Sequence, residues 1–202
     1  MTLRVTVVGS GDAFNAAGRA HSCYLLEGPG AGPTMVDFGA TALFALKRLG
    51  RRAPEVESFV FTHLHGDHIG GTPFLFVDAL FGDPRGRRLR LVGPPGLEQR
   101  LRALLDVTYG VDLLERDRAP EVQFEELSVG ERTEVDGFAL ETFPADHMDP
   151  PEQPLCLRFT GPDGQRIAFS GDTAMCEGLL AAADDADLVV AECSGLAPPM
   201  GR

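Results

Sequence analysis

The densest group of chemically reactive side chains in this sequence lies in one ten-residue segment, Thr62 to Gly71, which reads THLHGDHIGG. Three of the five histidines and a carboxylate fall within six positions of it: His63, His65, Asp67 and His68. Imidazole nitrogen and carboxylate oxygen suit Zn²⁺, and Mn²⁺ or Fe also accept them. Three protein ligands with an open coordination position are typical of catalytic metal sites. The segment therefore predicts a catalytic metal centre rather than a polar surface loop.

The residues around this segment predict how its ligands are presented. The β-branched and aromatic run at 56–62 predicts a strand that enters the His-rich turn. In extended chain, His63 and His65 point to the same side, because successive side chains alternate between the two faces. Gly66 then lets the backbone turn, so that Asp67 and His68 come from the following turn. One loop can thus serve two adjacent metal sites.

The rest of the chain predicts a mixed α/β protein with layered sheets and covering helices. Further strands are predicted at 3–8, 22–27, 33–37, 89–92, 122–127, 138–143, 155–160, 166–170 and 188–192. Helices are predicted at 40–49, 72–81, 96–107 and 175–183. No internal repeat or low-complexity linker interrupts the chain, so residues 1–202 are predicted to form a single domain.

The amino-acid composition limits the classes of protein to which this chain can belong. With 18 basic and 30 acidic residues, the net charge of −12 disfavours broad electrostatic capture of nucleic acid. The four cysteines have neither CxxC spacing nor the density of a secreted disulfide framework, and predict reduced thiols in a cytoplasmic protein: Cys23, Cys156, Cys176 and Cys193. No apolar run approaches the ~18 to 20 residues of a membrane-spanning helix, and neither a membrane segment nor a signal peptide is expected.

The motif His63-x-His65-x-Asp67-His68 resembles the signature of the metallo-β-lactamase superfamily. Three further motifs follow the order expected for that family: VDFG at 36–39, ADH at 145–147 and FSGDT at 169–173. The resemblance spans roughly residues 3 to 194 and implies a four-layer αββα sandwich. Within the superfamily, THLHGDHIGG, SGDT and the segment AECS at 191–194 are most similar to the branch of ribonuclease Z, arylsulfatases and cyclic phosphodiesterases.

The resemblance also implies a ligand set for two divalent metal ions, with Zn²⁺ the expected metal and Mn²⁺ or Fe as alternatives. It makes His63, His65 and His147 ligands of one ion and Asp67 and His68 ligands of the second. Asp172 becomes the carboxylate that bridges both ions, because its two oxygens can hold cations ~3.5 to 4 Å apart.

The resemblance also bears on Asp67, Asp37 and His21 individually. Asp67 is the expected catalytic residue, which orients the attacking water or takes its proton. Asp37 is expected to accept a hydrogen bond from a ligand imidazole, unless it serves only the turn before Gly39. His21, the remaining histidine, comes before the strand that builds the first site and is disfavoured as a ligand.

The function implied is hydrolysis by a metal-bound hydroxide, since Zn²⁺ can lower the pKa of a bound water to ~7. Phosphodiester or related ester bonds in a small molecule or a short nucleic acid are the expected substrates. A carbonyl-directed hydrolase of the lactamase or thioesterase type and a non-catalytic metal-binding fragment stay open. A tRNA 3′-end endonuclease is disfavoured, because only 24 residues separate His147 from Asp172 and leave no room for a tRNA-binding arm.

The sequence departs from the family in one respect. Family members bring a further histidine to the second metal after the segment corresponding to 191–194, and no histidine follows His147 here. We therefore expect a chain that lacks the C-terminal strands and helix of the fold and ends in a loop at Leu196–Arg202. Such a chain would expose a sheet edge and apolar surface, which favours association into a homodimer.

Overall fold

Two β-sheets form the centre of the computed structural model, which describes residues 3–82, 87–110, 113–117 and 119–193. The first sheet contains β1 (Arg4–Gly9), β2 (Cys23–Gly28), β3 (Ala31–Val36), β4 (Ser58–Val60), β5 (Arg88–Gly93) and β6 (Glu121–Glu126), in that spatial order. Strands β1 to β3 are antiparallel, and β3 to β6 are parallel. Ser194 and the predicted C-terminal loop at 196–202 lie outside the described residues.

The second sheet has the spatial order β11-β10-β9-β8-β7. Its strands are β7 (Arg132–Val135), β8 (Phe138–Pro144), β9 (Leu155–Thr160), β10 (Arg166–Phe169) and β11 (Leu188–Val190). Strands β7 to β10 are antiparallel, whereas β11 runs parallel to β10. Strands β8 and β10 therefore point the same way and end at the same edge of this sheet.

Five helices accompany the sheets in the described part of the chain: α1 (Ala42–Arg48), α2 (Gly66–Ile69), α3 (Thr72–Gly82), α4 (Leu97–Tyr109) and α5 (Glu177–Ala183). Short 3₁₀ turns occur at Ala16–Gly18, Ala53–Glu55 and Leu113–Glu115. Within the described ranges, no helix is long and apolar enough to cross a membrane.

Three buried clusters define the layers. Apolar side chains of α1, α3 and α4 pack on one face of the first sheet, and those of α5 pack on the outer face of the second. The two sheets bury a third cluster between them. On β3, Met35 belongs to the helix-side cluster and its neighbour Val36 to the inter-sheet cluster, as the alternation of side chains along a strand requires. The order helix, sheet, sheet, helix confirms the predicted αββα architecture.

The sequence predicted most elements but not β7. This strand carries Arg132 and Glu134 at the edge of the second sheet, and both side chains are exposed. It therefore has no apolar run to reveal it. The only local signal is the Asp136-Gly137 turn, in which both residues have positive φ (51° and 92°), as a tight hairpin connection to β8 requires.

Candidate metal centre

Four of the predicted ligands, and Asp37 behind them, lie on loops that leave the carboxyl ends of four strands. Asp37 follows β3, His63 and His65 follow β4, His147 follows β8, and Asp172 follows β10. Strands β3 and β4 are parallel, so their loops emerge side by side at one edge of the first sheet. The edge of the second sheet at which β8 and β10 end supplies the other two loops. Stacking of the sheets brings the four loops together.

Three histidines form the first group of candidate ligands. His63, His65 and His147 each offer a ring nitrogen, and these atoms all lie within 4.8 Å of one another. The Nε2 atom of His147 lies 3.0 Å from Nδ1 of His65. Each pair of rings has its centroids 4.9 Å apart and meets nearly edge to face. Three converging imidazoles of this kind suit one divalent ion.

The second group shares His63 with the first. His63, His68 and Asp172 also place one ligand atom each within 4.8 Å of the others. Oδ1 of Asp172 lies 3.2 Å from Nε2 of His68, while Oδ2 of Asp172 lies 3.9 Å from Nε2 of His147. The two oxygens of Asp172 thus face one histidine from each group, which is the geometry expected of a bridging carboxylate. Asp67 lies at the margin of this group, with Oδ2 3.6 Å from Nε2 of His68.

An unsatisfied nitrogen shows that the cluster fits a metal ion. Nε2 of His63 is buried and makes no hydrogen bond with any described residue. Buried polar atoms in folded proteins almost always have a partner, and a cation held by the surrounding ligands would supply one. Burial, together with repulsion from His68, lowers the pKa of His63 from 6.5 to about 2. The ring is therefore neutral, which is the form that binds a metal.

Asp37 orients His68 from behind. Its Oδ2 lies 2.8 Å from Nδ1 of His68, and its Oδ1 accepts the backbone N–H of Thr62 at 2.9 Å. The hydroxyl of Thr62 also donates to this carboxylate, at 3.0 and 3.1 Å. The hydrogen bond expected between Asp37 and a candidate ligand imidazole is therefore present. It directs Nδ1 of His68 away from the cluster and leaves Nε2 facing Asp172.

The carboxylates around His68 favour the positively charged form of its imidazole. Burial alone lowers the pKa of this imidazole, but attraction to Asp37 and hydrogen bonds to Asp172 and Asp37 outweigh burial and raise the pKa to about 10. The same carboxylates would stabilise a divalent cation bound at Nε2 in place of the proton. The donor set and its charge are thus matched to a divalent metal.

Close backbone packing holds the loop after β3 against α2, which carries Asp67 and His68. The N–H of Phe38 donates to the carbonyl of His68 at 2.6 Å, and the N–H of Gly71 donates to the carbonyl of Phe38 at 2.9 Å. A Cβ atom added to Gly39 would overlap the carbonyl oxygen of Asp67. Glycine is therefore required at position 39 if α2 is to approach this closely.

Hydrogen bonds also join the loops that carry His147 and Asp172. The N–H of Asp146 donates to Oγ1 of Thr173 at 2.8 Å, and the N–H of Ala174 donates to the carbonyl of Asp146 at 2.9 Å. Oε1 of Glu192 accepts the N–H of Thr173 at 2.8 Å. Sequence reasoning missed the positioning contacts of Thr62, Thr173 and Glu192. Their place inside or beside the motifs THLHGDH, SGDT and AECS was the only signal for them.

His21 belongs to neither group of candidate ligands. Its Nδ1 lies 3.3 Å from Oγ1 of Thr41, and its backbone N–H donates to the same oxygen at 2.9 Å. This residue is buried beside Gly39 and supports the loop after β3. The structure thus places His147, and not His21, beside His63 and His65.

A cavity of about 660 Å³ opens beside Asp67, His68 and Asp172. Residues of the loop at 10–19 line this cavity, as do Tyr24 and Phe169, whose ring centroids lie 5.6 Å apart. The volume lies within the range of pockets that hold small organic ligands. The candidate metal centre is thus reached from a pocket of small-molecule size.

The sequence is similar to known proteins. The profile of the family described as "Anti-Pycsar protein Apyc1" matches residues 3–198. The uncharacterized protein Rv1339 of Mycobacterium tuberculosis is 32% identical over 196 residues, which cover 96% of this chain and 68% of the relative.

Two solved structures show the same fold. The metallo-β-lactamase fold protein YhfI from Bacillus subtilis has a TM-score of 0.75 and 21% identity, over 95% of this chain and 70% of its own. Human tRNase Z, short form, has a TM-score of 0.73 and 19% identity, over 92% of this chain and 76% of its own. The chain therefore has the metallo-β-lactamase fold predicted from its motifs.

Proposed function

Because this chain belongs to the Anti-Pycsar Apyc1 family and has the metallo-β-lactamase fold, we propose that it is a metal-dependent hydrolase of phosphodiester bonds. The observation that carries the proposal is the position of Asp172. Its two oxygens face His68 and His147, one from each group of candidate ligands, beside the unsatisfied Nε2 of His63. Two metal ions held by these residues would neutralise charge on the attacked phosphoryl group and activate a water at neutral pH.

The protein's own side chains have separate roles in this proposal. His63, His65 and His147 would hold one ion, His68 and Asp67 would hold the other, and Asp172 would contact both. Asp67 has the additional role of orienting or deprotonating the water, because its carboxylate lines the cavity beside His68 and is only 14% exposed. Zn²⁺ is the expected ion, since nitrogen and oxygen donors dominate the cluster.

The size and charge of the site favour a small substrate. A cavity of about 660 Å³ accommodates a small-molecule ester or the end of a short nucleic acid. The net charge of −12 opposes the many phosphate contacts that a folded RNA would need. Processing of tRNA is thus a disfavoured version of the proposal, although human tRNase Z shares the fold.

The test compares four reaction types on metal-loaded protein: bis-p-nitrophenyl phosphate, a precursor tRNA, nitrocefin and an acyl thioester. We expect turnover of the phosphodiester above the other three. Asp67→Asn should reduce kcat by about 10²- to 10⁴-fold, as loss of acid–base help does. Asp163→Asn, in an exposed turn between β9 and β10, is the matched control and should leave kcat unchanged.

The outcomes separate the alternatives. Preferred turnover of nitrocefin or the thioester would replace the phosphodiester assignment by carbonyl chemistry. With two metals bound, absence of turnover of all four substrates would overturn the proposal and leave a metal-binding protein without catalysis.

We also propose a cellular location and an oligomeric state for the protein. A cytoplasmic location is supported by the four cysteines, all of which are free thiols. Homodimer formation is proposed from the exposed apolar residues Leu188 and Val189 on the outermost strand, β11. Gel filtration with light scattering tests the second point, because a monomer at micromolar concentration would contradict it.

A further inference from the structure

Two of the four cysteines meet behind the two ligand loops, which carry His147 and Asp172. Cys156 lies on β9 and is fully buried, whereas Cys176 precedes α5 and is partly exposed. The two thiols are close enough to share a hydrogen bond. No cysteine is among the candidate metal ligands, so the proposed chemistry leaves this pair of thiols unused.

Both sulfur atoms contact the segments that lead into the ligand loops. Sγ of Cys176 lies 3.6 Å from the carbonyl oxygen of Pro144, the last residue of β8. Sγ of Cys156 lies 3.3 Å from the carbonyl oxygen of Ser170, the first residue after β10. The thiol pair therefore lies at the ends of the two strands from which the ligand loops leave.

The two thiols differ in reactivity. Burial, together with the neighbouring Cys176, raises the pKa of Cys156 to about 12. Burial also acts to raise the pKa of Cys176, but hydrogen bonds from Thr173, whose Oγ1 lies 3.5 Å from Sγ, and from nearby backbone N–H groups outweigh burial and lower this pKa. The thiolate is the form of cysteine that attacks oxidants. Cys176 is thus both the more accessible and the more readily ionised thiol of the pair.

We propose that Cys176 is a site of oxidation by hydrogen peroxide, and that Cys156 then joins it in a disulfide that weakens metal binding. An accessible cysteine beside a second thiol is the arrangement typical of redox-sensing sites. The inference goes beyond the proposed function, because it involves neither the substrate nor a catalytic group. It is compatible with a reducing compartment, in which disulfides of this kind form transiently.

Two steps complete the oxidation. The Cys176 thiolate attacks one oxygen of hydrogen peroxide: an S–O bond forms, the O–O bond breaks, and the hydroxide that leaves takes up a proton to become water. Cys176 is thereby oxidised to a sulfenic acid and the peroxide is reduced. Sγ of Cys156 then attacks Sγ of Cys176: an S–S bond forms, the S–O bond breaks, and the hydroxide that leaves takes the proton of Cys156. In sum, two thiols and one peroxide give one disulfide and two waters.

The disulfide acts on the metal centre through the contacts of Cys176. The S–S bond is only about 2.0 Å long, so Sγ of Cys176 has to shift from its present position to bond Cys156. That position is next to Oγ1 of Thr173, which accepts the backbone N–H of Asp146 at 2.8 Å and so holds the ligand loops together. Thr173 and Asp146 each adjoin a candidate ligand in the chain. Disturbing this contact should therefore lower the affinity of the centre for its metal.

Peptide mapping of metal-loaded protein after treatment with hydrogen peroxide tests the modification. Digestion with trypsin and Glu-C separates Cys176 from Cys193, because Glu177 and Glu192 lie between them. We expect a disulfide between Cys156 and Cys176, which dithiothreitol reverses. In Cys156→Ala, dimedone should instead trap a sulfenic acid on Cys176.

The matched control is Cys193→Ser, because Cys193 is the exposed thiol outside the pair. This variant should form the same disulfide as wild type. Wild type and Cys193→Ser decide the linkage even if Cys156→Ala does not fold. A disulfide between Cys176 and Cys193, or a Cys176 that stays unmodified, overturns the inference.

Competition with a chromogenic chelator measures the effect on the metal centre. The Kd for Zn²⁺ should be about 10- to 100-fold higher in peroxide-treated than in reduced wild type, as for loss of a group that supports a ligand. Peroxide should leave the Kd of Cys176→Ser unchanged, which distinguishes the disulfide from oxidation of other side chains. An equal Kd before and after oxidation of wild type overturns the inference. Neither measurement depends on turnover, so the result is independent of whether the proposed function holds.

Discussion

Nδ1 of His68 lies 2.8 Å from Oδ2 of Asp37, and both side chains are buried, with 3% and 2% of their surface exposed. The contact joins α2 to the loop that follows β3, so two segments 31 residues apart fix one imidazole ring. Because Nδ1 is occupied, only Nε2 faces Asp172 and Asp67. The orientation of a candidate ligand is thus set by a carboxylate that is not itself among the candidate ligands.

Replacing Asp37 should weaken metal binding without unfolding the loop. Asp37 has a φ of 57°, which asparagine also tolerates, so Asp37→Asn preserves the backbone but removes the negative charge behind His68. Loss of such a partner typically lowers metal affinity by about 10- to 100-fold. Competition with a chromogenic chelator measures the change.

Asp136→Asn is the matched control for this change. Asp136 also has a positive φ, 51°, but it lies in the β7–β8 turn and pairs with Oγ1 of Thr34 instead of a histidine. Its metal affinity should equal that of wild type. Wild-type affinity in Asp37→Asn would show that the contact with His68 has no part in metal binding.

Metal stoichiometry should distinguish shared from unshared ligands. His63 offers one free nitrogen, Nε2, so His63→Ala should lower the occupancy of the first site, whereas Asp172→Ala should lower the occupancy of both sites through the bridging carboxylate. Plasma mass spectrometry on protein without a His-tag should give two ions per chain in wild type and fewer in both variants. His21→Ala, outside the cluster, should retain two. Two ions in His63→Ala would contradict the assignment.

The metal-free protein should lose stability as pH rises above neutrality. The folded-state pKa of His68 is raised from 6.5 to about 10 by Asp37 and Asp172, against the effect of burial. A group with a raised pKa stabilises the fold fully below about pH 6.5, and this contribution is lost as pH approaches 10. Urea unfolding of chelator-treated protein between pH 6.5 and 10 should show the decline.

His68→Gln supplies the reference for that pH series, because other groups also titrate in the range. The free energy of unfolding should decline less steeply with pH in His68→Gln than in wild type. Parallel slopes in the two proteins would refute a stabilising charge on His68.

The inter-sheet core should be the most sensitive part of the fold to truncation. Phe159 is fully buried between the sheets, with its ring 5.8 Å from that of Phe169 and 6.2 Å from that of Phe138. Phe159→Ala should lower the free energy of unfolding by about 3 to 5 kcal/mol. Phe81→Ala, at a side chain 78% exposed, should change it by at most about 0.5 kcal/mol. Denaturant unfolding measures both, and equal effects would contradict the buried role of Phe159.

The sequence by itself determined the ligand types and the local geometry around His63. The spacing of His63, His65, Asp67 and His68 is a local property, because a strand and the turn after it fix the directions of nearby side chains. The apolar runs that predict the sheets are local too, which is why most strands were predicted. The edge strand β7 was not, because its side chains alternate between charged and small residues and its pairing partner lies across a turn.

Tertiary structure alone decided which distant residues meet. The stacking of the two sheets brings His147 to within 3.0 Å of His65 and Asp172 to within 3.2 Å of His68, across 82 and 104 residues of chain. It also decided that His63 belongs to both groups and that the loop at residues 10–19 lines the cavity beside the cluster. The physical reason is that such contacts depend on how whole layers pack, whereas periodicity and motif spacing report only the direction of side chains relative to their own strand or helix.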